Sequence, residues 1–503
     1  MTLAPSLIRL HPDDDVAVAR HGLSAGDQIA DGVVAATDVP AGHKIALHAI
    51  GEGEPVIKYG QPIGLAARAI TAGEHVHASE LCVPGGLSQA EPGSALDLSP
   101  WPGAPTFDGY VRDDGRVGTR NYVGILTTVN CSATVAKQVA LRAQAELADY
   151  PGVDGVVALT HTTGCGIASE GEGIDNLRRT LAGFAGHPNF AGVLLIGLGC
   201  EANQTDRLLD TQGLTIGPHL RTLGIQEAGG TLAAIERGVE EVRALMTLAA
   251  ETPRTPQPAS CLTLALQCGG SDAWSGVTAN PSLGHAADLL VRAGGTVILA
   301  ETPEIYGAES LLLRRAESRE VAEALLERLR WWEDYVARSG QQLNNNPSPG
   351  NLEGGLSTIL EKSLGAVAKS GTSPLRGVYR YAERVDRTGF VFMDSPGYDP
   401  CSVTGEIASG ANLVCFTTGR GSVFGAKPVP SLKLASNDEL AASMEPDIDL
   451  SAGGVAHGRE TTQEVGRRLF DLMIETASGQ PSKSETLGFG EMEFVPWQIG
   501  ATV

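Results

Sequence analysis

No apolar run in this 503-residue chain reaches the ~18 residues that a membrane-spanning helix needs. The opening residues, MTLAPSLIRLHPDDDVAVAR, lack a basic segment followed by an apolar one, so no secretory signal is read and cytoplasm is the expected compartment. Bases are scarce beside acids, 37 Lys and Arg against 59 Asp and Glu, a net charge of −22. Such a surface repels phosphate backbones and anionic lipid, so neither nucleic acid nor a membrane is an expected partner. A local basic pocket for a small anion stays compatible with that charge. None of the eight cysteines (82, 131, 165, 200, 261, 268, 401, 415) forms a CxxC pair, which leaves a zinc ribbon unsupported. They are too scattered for a small disulfide framework and read as reduced thiols, either core residues or ligands. The GLGCE stretch at 197–201 starts like a dinucleotide fingerprint, but GxGxxG is never completed, and there is no Walker loop.

What is present is a chain long enough for two to four domains. Short alternating segments such as DGVVAATDV, HKIALHAI and PVIKYGQPIG predict a small β-rich domain over 1–82. A Pro-, Gly- and Ser-crowded stretch, 83–105, reads as a linker. The pattern then changes to continuous apolar runs separated by helical stretches: YVGILTTV (122–129), VDGVVALT (153–160) and AGVLLIGL (191–198). These are the marks of buried parallel strands with crossover helices, and they predict an α/β domain over 106–250. A second linker, 251–260, leads to CLTLALQ, GGTVILAE, GFVFMDS, ANLVCFTTG and SLKLAS, predicting a second α/β domain over 261–503. A long amphipathic helix is expected near 308–338, and NNNPSPGN (344–351) as a shaped loop.

Chemistry-bearing residues recur where these strands end. Cys131 follows the first, His161 and Cys165 the second, Cys200 and Glu201 the third, and Cys268 and Asp272 follow CLTLALQ. Open α/β sheets bind ligands beyond the carboxyl ends of their strands, so the four loops together predict a site. The plainer alternative is that a single cysteine is a small buried hydrophobe, the expectation for Cys261 and Cys415. The β-rich region adds His43 and Lys44, Lys58 and Tyr59, and then His75 and His77, which at i and i+2 on a strand share one face. That spacing suits half of a metal site or an anion pocket; a solvent-facing hairpin is the alternative. Late in the chain, Glu361 and Lys362 fall on a helix, and Arg420 sits between glycines, suited to a carboxylate or phosphate. Asp399 lies in the turn SPGYDP.

These stretches resemble the altronate dehydratase/galactarate dehydratase family. The resemblance is carried by DVAVA, AGHKIAL, IKYGQPIG and GEHVH, then DGRVGTRN, HTTGCG and IGLGCE, then QCGGSDAWSGVTANP, NPSPGN, EKSLG and FTTGRGS, in the family's order. It implies an SAF-type N-terminal domain, two largely parallel α/β domains, and a lyase removing water from a hexonate or hexarate. It further implies a divalent metal, Fe(II) ahead of Mn(II), and a homo-oligomer, a dimer. Abstracting a proton beside a carboxylate calls for a base joined to a cation that stabilises the developing charge. On that reading His161, Glu201 and Lys362 are the candidate catalytic residues. Arg420, Asn280, Asn351, Ser271 and Asp272 are candidate substrate binders, and His43, His75, His77, Cys165, Cys200 and Cys268 candidate metal ligands. An iron–sulfur cluster on three or four thiols is a further option that the spacing does not demand. Altronate is the expected substrate, with galactarate second; a sulfolactate sulfo-lyase or a non-catalytic sugar-acid binder stands behind them.

Overall fold

The computed structural model describes residues 3–83 and 98–502. Most of the stretch read as the first linker therefore lies outside the described residues. Before it, two small antiparallel sheets, with the hairpin Gln28–Ala30/Val33–Val34, build the β-rich domain. One runs Leu7–Ile8, Val16–Ala19, Lys44–Ala46 and His75–Val76; the other runs Pro55–Lys58, Gln61–Ala66 and Leu81–Cys82. Tyr59 and Gly60, both at positive φ, make the two-residue turn that sets Lys58 opposite Gln61.

The middle region is a four-stranded parallel sheet in the order Gly155–Leu159, Tyr122–Thr127, Phe190–Gly197, Leu220–Gly224. Alternation along Tyr122–Thr127 sends Val123 and Ile125 towards helices Ala133–Gln144 and Thr231–Ala250. Tyr122 and Leu126 go to the opposite face with helix Glu172–Ala185. Both faces are therefore buried, which is why the strands read as continuous apolar runs. Leu220–Gly224 was not anticipated, since its Arg221 and Thr222 break the apolar run of an edge strand.

The last region is a seven-stranded parallel sheet: Leu375–Tyr379, Gly389–Met393, Thr296–Leu299, Thr263–Cys268, Leu413–Thr418, Ser431–Ala435, Leu450–Ser451. From Thr263–Cys268 the chain lays three strands on one side, the outermost Leu375–Tyr379 before Gly389–Met393, and then crosses to the other, so the order reverses between Thr263–Cys268 and Leu413–Thr418. A crevice opens at such a switch point, beyond the carboxyl ends. Several segments differ from the sequence expectation, the edge strands Leu375–Tyr379 and Leu450–Ser451 among them. The long helix is split into Glu309–Leu313 and Arg319–Arg338, because Ser318 caps the second piece through the Val321 N–H. In the Asn- and Pro-rich loop, Pro349–Glu353 is helical: Pro349 falls at the first helical turn, where no N–H is missed, and Ser348 and Asn351 form a reciprocal cap. Thr255–Pro258, in the stretch read as a second linker, is a strand antiparallel to Thr106–Val111.

Candidate functional site at the junction of the first and last sheets

The β-rich domain docks on the seven-stranded sheet through helix Ile359–Val367. Glu361 on that helix is fully buried and receives Lys44 Nζ at 2.9 Å and Lys58 Nζ at 2.6 Å, both from the first domain. Burial alone would raise the Glu361 carboxyl, but the two ammoniums override it and hold it well below the usual carboxylate range. Lys44 is pushed down to about 8 by burial, since it shares one carboxylate with a second lysine. Ser357 donates through its N–H and hydroxyl to the same carboxylate, so the acid's lone pairs are satisfied.

Beside this triad His43, His75 and His77 converge, their ligand atoms all within 4.8 Å of one another. The two-residue strand His75–Val76 puts His75 and His77 on one face, as the i, i+2 spacing requires, and their rings stack with centroids 5.6 Å apart. His43 Nε2 lies 3.3 Å from the Glu353 carbonyl and Nδ1 lies 3.0 Å from His75 Nε2. An Nε2–H donated to that carbonyl leaves the Nδ1 lone pair facing the other rings, the arrangement that orients a metal-ligating histidine. His77 Nδ1 is buried with no hydrogen-bond partner. Burial first, and the Lys44 charge with it, pulls all three below the ordinary histidine value, so the rings are neutral, the form that binds metal. An orphaned nitrogen among three neutral imidazoles fits a divalent metal.

A second convergence of possible ligands, Cys268, Glu301 and Glu304, is wholly buried at the switch-point crevice. Here two lysines already supply the positive charge. Lys369 Nζ sits 2.9 Å from Cys268 Sγ and 3.4 Å from Glu301, and Lys362 Nζ sits 2.8 Å from Glu304. Burial pushes the Cys268 thiol up to about 12, which disfavours the thiolate a metal needs. Burial and the neighbouring Glu304 charge hold Glu301 well above its usual value, and one of its oxygens has no partner. Glu304 lies lower than usual because Lys362 and Lys369 outweigh the effect of burial. Lys362 is correspondingly held protonated, its burial outweighed by the Glu304 charge. Asp399, whose carboxylate crowds Gly269, is pushed up to about 6 by burial and by Glu304. A Cβ on Gly269 would lie 2.2 Å from that carboxylate, so only glycine lets the strand end pass.

Between the two lies the turn Glu353–Gly355, whose carbonyls serve His43 and Lys44. Its other side, with Asp272, Arg420 and Asn437, lines a cleft of about 940 Å³. Asp272 is buried and accepts from Ser275 and Ser436 at 2.8–3.0 Å and from Asn437 at 3.3 Å, so its carboxylate ties its own loop to the one at 436–437. Arg420 is half-exposed and pairs with Glu353 at 2.8 Å. Asn351 donates to the Ser271 carbonyl, and Asn280 joins Thr417 to the Gly365 carbonyl; these amides brace the crevice.

The structure does not bring the remaining predicted residues to this junction. His161, Glu201, Cys165 and Cys200 stand at the carboxyl edge of the four-stranded sheet. His161 Nε2 donates to the Thr127 carbonyl at 2.8 Å and Nδ1 accepts from Thr163 N–H at 3.3 Å, so both nitrogens are engaged. Burial lowers it to about 4, a neutral ring locking two loops. Glu201 accepts from Thr128 and from the Leu198 and Gly199 N–H groups. Sequence reasoning passed over Glu301, Glu304 and Lys369. The available signal was positional: AETPE follows the apolar run TVIL as directly as Cys268 follows TLALQ.

The chain matches three family models end to end. These are the altronate/galactarate dehydratase SAF domain over residues 5–83, the D-galactarate dehydratase/altronate hydrolase second domain over 109–250, and the D-galactarate/altronate dehydratase C-terminal region over 259–502. It is 36% identical to the altronate dehydratase of Bacillus subtilis, covering 97% of this chain and 98% of that one. This chain belongs to the altronate/galactarate dehydratase family. It is also 39% identical to the L-threo-forming galactarate dehydratase of Escherichia coli, over 94% of this chain and 93% of that one. The β subunit of the (2R)-sulfolactate sulfo-lyase of Chromohalobacter salexigens is 34% identical, over 77% of this chain and 96% of the subunit. Within this family the SAF-type domain and the parallel sheets are the expected architecture, and no described helix is long and apolar enough to cross a membrane.

Proposed function

We propose that this chain is a hydro-lyase that removes water from a sugar acid to give a 2-keto-3-deoxy acid, with D-altronate as substrate. The observation that carries the reading is the neutral imidazole cluster beside a crevice of buried acids and protonated lysines, in a chain whose full-length relatives are named dehydratases. His43, His75 and His77 hold the divalent metal, Fe(II) ahead of Mn(II), which when bound supplies positive charge for a substrate carboxylate. The protein's own groups handle the protons. Asp399, near neutrality at about 6, is suited to take the proton at C2. Lys362, held protonated by Glu304, is suited to return one to the departing C3 hydroxyl, and the enol left behind tautomerises to the ketone. Arg420, at the mouth of the cleft, takes a carboxylate by exchanging Glu353 for it.

The stretches GEHVH, SPGYDP and FTTGRGS favour altronate, while the 39% identity to a galactarate dehydratase makes galactarate the second reading. We place the enzyme in the cytoplasm as a homodimer, which light scattering tests. The deciding assay is a panel of aldonates and aldarates with Fe(II) or Mn(II), scored for 2-keto-3-deoxy product. Formation of product from altronate supports the reading. Thermal stabilisation by a sugar acid without any product would replace it with a non-catalytic binder.

A further inference from the structure

The edge of the four-stranded sheet keeps a feature that the dehydration chemistry above does not use. Three adjacent parallel strands, Gly155–Leu159, Tyr122–Thr127 and Phe190–Gly197, each end in a loop with one exposed, unpaired cysteine: Cys165, Cys131 and Cys200. The loops are bonded to one another next to each thiol. Asn130 N–H donates to the Thr163 carbonyl at 2.9 Å, and Asn203 N–H to the Gly164 carbonyl at 3.1 Å. Thr128 donates to Glu201 at 2.6 Å, and Asn203 Nδ2 to the Thr128 carbonyl at 3.2 Å. Gly164, at φ +98°, passes so close to Val129 that a Cβ would clash with the Thr128 carbonyl at 2.3 Å. His161, locked between Thr127 and Thr163, fixes the same pair of loops.

We propose that Cys131, Cys165 and Cys200 form a three-thiolate site for an iron–sulfur cluster that leaves one iron without a protein ligand. Soft thiolates select such clusters, zinc or Cu(I). A closed structural zinc needs four ligands around one ion. Among the described residues only two other sets bring three ligand atoms within 4.8 Å, and these thiols are not one of them. Three sulfurs spread along a rigid sheet edge suit a cluster, whose thiolates sit on different irons. The loop after Cys200 also holds a cation: Arg178 is buried, donates to Asn203 at 3.3 Å, and has one guanidinium nitrogen without a partner. Binding displaces one proton from each thiol and involves no net oxidation when ferrous and ferric iron and sulfide are supplied.

The test uses the full chain, reconstituted anaerobically with iron and sulfide. Wild type is expected to retain acid-labile sulfide with the visible absorption of a cluster. Cys131→Ser, Cys165→Ser and Cys200→Ser each lose it, whereas Cys82→Ser, another exposed thiol, keeps it. Alkylation footprinting of wild type covers the case in which a variant fails to fold: the three thiols react in the apo chain and become protected together after reconstitution, while Cys82 reacts in both. Iron retained without labile sulfide, or equal labelling of the three thiols before and after, overturns the proposal. The result is independent of the sugar-acid reading, because neither readout is turnover.

Discussion

The two parallel sheets carry chemistry at the same place, beyond their strand ends, yet build it in opposite ways. At the four-stranded edge His161 and Glu201 are spent on bridging loops, while the thiols face solvent. At the seven-stranded edge charges are stacked in the interior, where Cys268, Glu301, Glu304 and Lys369 are buried together. The first edge is a bonded frame presenting thiols outward. The second stores perturbed proton equilibria, the property acid–base catalysis requires.

The largest expected effect falls at the second edge. Lys362→Gln removes the protonated amine facing Glu304 and is expected to lower turnover by about 10²- to 10⁴-fold in the protein that still folds, and to lower the melting temperature as well, because Glu304 is left buried without its partner. Steady-state kinetics beside a thermal melt checks this, and turnover within a few-fold of wild type would remove Lys362 from the proton path. Next comes the anchor of the first domain. Glu361→Gln leaves Lys44 and Lys58 buried without their shared charge and is expected to cost about 3–5 kcal/mol in urea unfolding. The same carboxyl gives a pH signature. Its folded value lies below the ordinary 4.5, so its contribution is complete above that value and is lost as pH falls below it.

The contrast sharpens at His161. Its folded value of about 4 lies below the ordinary 6.5, so the unfolded chain binds more protons between the two. The stability it confers is complete above pH 6.5 and shrinks as pH falls towards 4, by at most about 3 kcal/mol. His161→Gln should flatten that part of the wild-type pH profile while leaving turnover near normal; a large loss of turnover would return His161 to the role of base. The smallest effect belongs to Arg420→Ala. Its exposed pair with Glu353 contributes no more than about 1 kcal/mol, so melting should barely move while KM for a sugar acid rises.

The three-part fold and the central strands were legible because both faces of each parallel sheet are buried and the runs are apolar, whereas the edge strands Leu220–Gly224, Leu375–Tyr379 and Leu450–Ser451 were not. The His43–His75–His77 cluster was half legible: strand alternation put two rings on one face, while His43 was named as a ligand only through the family resemblance, and the fold shows it reaching them from just before the strand Lys44–Ala46. Lys369 was not legible, since a lysine after a helix reads as solvent-facing until the tertiary structure buries it against Cys268. His161 shows the reverse case. A histidine in a Gly-rich turn looks reactive, and nothing local reveals that the Thr127 carbonyl waits for its Nε2–H.

The central claim is that the imidazole cluster holds the divalent metal. Titrating the protein with Mn(II), followed by electron paramagnetic resonance, tests it without interference from an iron–sulfur site. Wild type should bind one equivalent, and His77→Ala should lose both that binding and Mn(II)-dependent turnover. A His77→Ala protein that binds Mn(II) and turns over like wild type would contradict the account.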